Sequence, residues 1–139
     1  MFFSTGMLLL AGDKPRTNEY VTVKFALQQN KLKPGTMGEL VISFKPRDGI
    51  HINLDPPISI KFDTSDAITS IEKPILPAPT KEKYFDTARP IKQRFTVSKK
   101  IKPGIMTLKG TLSYFYCSGT DGWCSRFKQP FEISVTITK

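Results

Sequence analysis

"MTLKGTLSYFYCSGTDGWCSRFKQPFEISVTI" (residues 106–137) carries the clearest periodicity in the chain. In its second half Phe127, Gln129, Phe131, Ile133, Val135 and Ile137 share one parity, and Lys128, Pro130, Glu132, Ser134 and Thr136 take the other. That alternation belongs to a strand with one oily and one wet face. In the first half Met106, Leu108, Leu112, Tyr114 and Tyr116 alternate with Thr107, Lys109, Thr111 and Ser113. Two such runs around a short Gly-containing stretch predict an antiparallel hairpin with "CSGTDGWC" at its tip. Pro130 has no N–H to give a ladder, so its position belongs at a sheet edge or a bulge.

Working back from the hairpin, the same alternation recurs. "YVTVKFAL" (20–27) puts Val21, Val23, Phe25 and Leu27 together, and "GELVISF" (38–44) does so for Leu40, Ile42 and Phe44. Between them "NKLKPGTMG" (30–38) reads as a turn around Pro34-Gly35. "GIHINLD" (49–55), "ISIKF" (58–62) and "QRFTVS" (93–98) read as further strands, with "AITSIE" (67–72) a weaker one. No segment combines a helical period with caps. Seven or eight short strands at this spacing predict an all-β fold, an immunoglobulin-like β-sandwich of two antiparallel sheets. The antibody form of that fold staples its sheets with two cysteines far apart in sequence. Here the two are neighbours, so that staple is absent.

The 139 residues fit one domain, expected over 18–139, large enough to bury a core without metals or several crosslinks. The apolar start "MFFSTGMLLLAG" lacks the basic residues of a secretory leader, so residues 1–17 are expected to be disordered or the remnant of a signal or fusion segment. No stretch is long enough to cross a bilayer as a helix. A formal charge of +9 raises nucleic acid or an anionic membrane as a partner, but the lysines are spread over nearly every segment. Nucleic-acid surfaces concentrate basic residues and interleave stacking aromatics, and neither pattern is present. The expectation is a solvated basic surface, no nucleic-acid partner and a monomer. "EKPILPAPTKEKYFDTARPI" (72–91) is the longest run without alternation, a loop long enough to be functional or a crossover between the sheets.

Both cysteines, Cys117 and Cys124, lie at the hairpin tip with six residues between them. Paired strands bring the ends of such a loop within disulfide reach. Closing so short a loop removes only about 2.5 kcal/mol of unfolded-chain entropy. That gain is small for a staple, which tilts the reading towards a working disulfide while leaving a structural one open. Zinc takes four ligands in a structural site, and two thiols with the single, distant His51 do not supply them. The expectation is no metal and no cofactor; copper on the thiols with His51 or a methionine has no motif behind it. His51, on its strand, reads as structural, which leaves no Cys–His hydrolase. Thiolate chemistry is favoured by nearby positive charge: Arg126 and Lys128 follow Cys124, while Asp121 opposes them. Gly119 and Gly122 permit a tight turn. Trp123 either covers one face of the sulfur or closes the end of the sandwich.

The run "GTLSYFYCSGTDGWCSRFKQPFEISV", together with "KPGTMGELVISFKPRDGIHINLDPPISIKF", resembles the amino-terminal periplasmic domains of the bacterial DsbD thiol–disulfide interchange family. The similarity spans about residues 20–137. It implies an exported, periplasmic domain acting as a protein-disulfide reductase component. The redox pair would be Cys117 and Cys124, with Cys124 joined to partners in mixed disulfides and Cys117 resolving them. The implied partners are a thioredoxin-like reductant, itself fed from a membrane-embedded domain, and periplasmic disulfide proteins, including those of cytochrome c maturation. The family's cap loop, whose aromatic shields the disulfide, falls at Tyr84 or Phe85. Trp123 and Arg126, read from their own chemistry, are the expected supporting residues of the pair. The rival is a secreted immunoglobulin-like binding module whose loop disulfide is structural.

Overall fold

The computed structural model describes residues 18–139, and the expected leader remnant at 1–17 lies outside them. Nine strands run in chain order: β1 (Val21–Leu27), β2 (Lys31–Leu32), β3 (Met37–Pro46), β4 (Ile50–Ile52), β5 (Ser59–Phe62), β6 (Ile68–Ile71), β7 (Ile91–Val97), β8 (Gly104–Ser118) and β9 (Cys124–Ile137). They form two sheets. One has the order β1-β3-β7-β6; the other has β2-β9-β8-β4, with β5 also pairing with β8. This is the all-β sandwich read from the alternation.

The hairpin is its longest feature. β8 and β9 pair antiparallel without a register break, from Gly104 opposite Ile137 up to Cys117 opposite Cys124. One parity of β8 is buried (Met106, Leu108, Leu112, Tyr114, Tyr116), and it faces Leu40, Ile42, Phe44, Ile91, Phe95 and Val97 across the interior. Burial of side chains of this size stabilises the fold by about 1.5–3 kcal/mol each. Aromatic rings cross the gap: Phe44 meets Tyr114 edge-on at 5.1 Å, and Phe25 stacks on Phe131 at 4.9 Å. Tyr114 is fully buried, its hydroxyl accepting from Asn18 Nδ2 at 3.1 Å. Burial pushes its phenol up to about 12 from 10.0, against the Asn18 hydrogen bond, which acts the other way.

One strand departs from the sequence reading. Within the expected turn at 30–38, Lys31 and Leu32 pair with Thr136 and Ile137 of β9, and they do so in parallel. The chain therefore leaves the first sheet after β1, touches the second and returns as β3, so the second sheet is mixed. Leu32 is buried against the core while its neighbour Lys31 is exposed. Two residues are too few to show alternation. The turn itself follows at Pro34-Gly35, with Gly35 at φ 81° and its N–H donating to Val97 O. Because β2 reaches only Thr136 and Ile137, the outer edge of β9 has no ladder partner at Pro130 among the described residues. The proline sits at an exposed edge, as its missing N–H requires.

From Glu72 to Pro90 the run is irregular apart from a bridge between Ile75 and Lys92, and Ile91 opens β7. Its later part is pinned beside β4, where Phe85 N–H donates to Ile52 O at 2.9 Å.

Candidate functional site at the hairpin tip

Cys117 and Cys124 are joined in a disulfide with their Cα atoms 4.0 Å apart. The ladder explains the closeness. Ser118 N–H donates to Trp123 O at 2.8 Å, so the next pair inward is a non-hydrogen-bonded one, the position where opposed side chains come nearest. The loop beyond is held by Ser118 through its own chain. Its carbonyl accepts from Gly122 N–H at 3.0 Å, and its Oγ accepts from Asp121 N–H at 3.0 Å. Gly122 turns the loop at φ 77°, a region that favours glycine. Gly119 matters for space instead, since a Cβ there would lie 3.1 Å from His51 Nε2.

Parity decides which way the sulfurs face. The buried residues of β8 are the even-numbered ones, so Cys117 and its partner Cys124 project from the outer face of the sheet, away from the core. The two sulfurs are not equivalent: Cys124 is exposed, whereas Cys117 is half-buried. Arg126, opposite Phe115, shares that outer face two residues along from Cys124. Trp123 has the other orientation. Its ring packs edge-on against Tyr20 at 4.9 Å and Tyr116 at 5.8 Å, closing the end of the sandwich.

β4 lies along the other edge of β8 and brings two residues to the sulfurs. His51 pairs with Cys117, and Asn53 follows with its backbone N–H donating to Phe115 O at 2.8 Å. Ile50 and Ile52, of opposite parity, are buried, so His51 stands on the disulfide face. Asn53 Nδ2 donates to Cys117 Sγ at 3.2 Å. In the sequence His51 reads as a structural strand residue. It is on a strand, but on the outer one of that strand's two faces and beside the disulfide. Among the described residues no three His, Cys, Asp or Glu side chains are placed to hold a metal ion.

The two cap candidates diverge. Extended chain turns neighbours to opposite sides, and here Phe85 enters the core, edge-on to Phe44 at 5.2 Å. Tyr84 stays outside and stacks on His51 with centroids 4.3 Å apart and planes 7° from parallel. A turn fixes it, with Tyr84 N–H donating to Thr80 Oγ1 at 3.0 Å and Tyr84 O accepting from Thr80 N–H at 2.9 Å. Tyr84 thus covers the residue paired with Cys117, while Phe85 anchors the loop that carries it.

Two solved structures are among those similar to this chain. One is the amino-terminal domain of DsbD from Neisseria meningitidis in the reduced form, 19% identical, with a TM-score of 0.46 over 84% of this chain and 86% of that one. The other is the GAE domain of yeast GGA1, 15% identical, with a TM-score of 0.42 over 84% of this chain and 95% of that one. No protein-family model matches the chain, and no curated protein matches it in sequence.

Proposed function

We propose that this domain is a periplasmic carrier of electrons between proteins, exchanging them through the Cys117–Cys124 pair. The observation that carries the reading is the placement of the disulfide: outside the core, at the open end of a hairpin, with Cys124 exposed. A disulfide exchanges only where a thiolate can reach one of its sulfurs. The sequence resemblance of the hairpin to the DsbD amino-terminal family supports the same reading.

The chemistry needs no cofactor. A thiolate of a reduced, thioredoxin-like partner attacks Cys124 Sγ. The Cys117–Cys124 bond breaks, and Cys117 leaves with the electron pair as a thiolate. The partner's second thiolate then attacks its own sulfur in the mixed disulfide and releases Cys124. Two electrons and two protons pass from the partner to the pair, and the partner becomes a disulfide. Delivery reverses the sequence: Cys124 attacks the disulfide of a periplasmic acceptor, and Cys117 resolves the mixed species. Arg126 favours the Cys124 thiolate by its charge. Tyr84 acts as the cap over this face, held in place by Phe85, and Trp123 holds the loop end.

Trapping tests the roles. Cys117→Ser leaves Cys124 without its resolving thiol. Its Cys124 thiolate should attack an accessible disulfide, such as that of an oxidised thioredoxin-like protein, and form a covalent, dithiothreitol-sensitive complex as the partner's other sulfur leaves as a thiolate. Cys124→Ser should form far less. Equal yields would contradict the assignment of roles, and absence of adducts from both variants would leave the pair a structural crosslink.

A further inference from the structure

Asn53 stands out among polar side chains because half of its amide is used and half is not. Nδ2 donates to Cys117 Sγ at 3.2 Å, while Oδ1 is buried without a hydrogen-bond partner among the described residues. A buried acceptor left unpaired destabilises a fold by about 1–3 kcal/mol, so the arrangement is costly in the oxidised protein shown here. Nothing in the sandwich requires it: the backbone of Asn53 makes its own bond to Phe115 O, and an apolar side chain of similar size would carry no orphan. What the amide does touch is the half-buried sulfur that exchange turns into a thiolate and then a thiol.

We infer that Asn53 is a positioning residue for the redox pair, holding the Cys117 sulfur and stabilising it more in the reduced state than in the disulfide. The inference rests on the exchange reading above. The physical basis is a difference in hydrogen-bond strength. A disulfide sulfur is a weak acceptor, whereas a thiolate accepts a charge-assisted bond roughly twice as strong as a neutral one. When an incoming thiolate takes Cys124 and the sulfur–sulfur bond breaks, the electron pair moves onto Cys117 Sγ, where Asn53 Nδ2–H already points. When that thiolate takes up a proton, its new S–H is a donor, and a half-turn of the amide offers it Oδ1. One side chain thereby has a partner for each form of the sulfur. A stabilised leaving thiolate also departs faster, so Asn53 speeds the step in which Cys117 is expelled.

The test is the reduction potential of variants equilibrated with dithiothreitol buffers. Asn53→Leu removes both functions at similar volume. Asn53→Asp keeps the shape, lacks the donor and sets a negative charge beside the thiolate. Each should shift the equilibrium towards the disulfide by about tenfold, equivalent to about 30 mV more negative. A merely structural asparagine would alter the melting of both redox forms alike and leave the potential unchanged. In the unaltered protein, the side-chain amide resonances of Asn53 should move on reduction. Wild-type potentials in both variants, or amide resonances indifferent to reduction, would overturn the inference. Failure of the exchange reading is a different result, the absence of any trapped adduct from Cys117→Ser. The comparison with the Asn53 variants is still readable then, because dithiothreitol reports it without a protein partner.

Discussion

A carrier has to stay folded in both redox states, which makes reduction the most informative perturbation of stability. The crosslink closes a loop of sequence separation 7. On the chain-entropy model a loop that short limits the unfolded chain by roughly 2.5 kcal/mol. Opening the bond leaves the rest of the tip intact. The ladder is already paired up to the two cysteines, Ser118 N–H holds Trp123 O, and Trp123 stays wedged on Tyr20 and Tyr116. Reduction should therefore lower the unfolding free energy by about 2–3 kcal/mol, a fraction of the roughly 5–15 kcal/mol typical of a domain. Urea titrations of the oxidised protein and of protein held reduced, followed by Trp123 fluorescence and circular dichroism, measure the difference. The reduced protein should show one cooperative transition at lower urea. Unfolding on reduction alone, or a loss beyond about 5 kcal/mol, the upper end for a disulfide, would refute the reasoning and make the bond a staple of the fold.

The opposite orientations of Tyr84 and Phe85 should separate in mutants. Phe85→Ala empties a core position against Phe44 and should lower stability by about 3–5 kcal/mol. Tyr84→Ala loses one stacking contact with His51, about 0.5–1.5 kcal/mol, and should speed alkylation of the reduced thiols; an unchanged alkylation rate would argue against the cap. Tyr114 predicts a change at high pH. Its folded-state pKa is raised to about 12 from 10.0, so the protonated phenol is bound more tightly in the folded state. The resulting stability is complete below pH 10 and is lost as pH rises towards 12, a loss of roughly 2–3 kcal/mol. Denaturation of wild type and Tyr114→Phe from pH 9 to 12 should show the extra decline in the wild type alone.

The fold was legible wherever alternation ran long enough. β1, β3, β8 and β9 each repeat the pattern over seven or more residues, and the shortness of the interval between the last two forces a hairpin. β2 escaped because a two-residue strand has no period, and its parallel pairing with β9 depends on where the chain goes after β1. At the site the cysteines were legible, but their surroundings were not. "IHIN" shows that His51 and Asn53 share a face; it does not show that β4 lies against β8 in the register that sets His51 opposite Cys117. That register arises from pairing between segments far apart in the chain. The same limit applied to "KYFD": without periodicity, only the packing of Phe85 on Phe44 reveals which ring turns outward. For Trp123 both orientations were open in the sequence, and contact with Tyr20 and Tyr116 decides for the end of the sandwich.

The most direct measurement is the equilibrium reduction potential of the wild-type Cys117–Cys124 pair in glutathione and dithiothreitol buffers. An electron carrier should titrate above about −300 mV, within reach of thioredoxin-like proteins. A value well below −300 mV, where inert structural disulfides lie, would contradict exchange and leave a crosslinked β-sandwich.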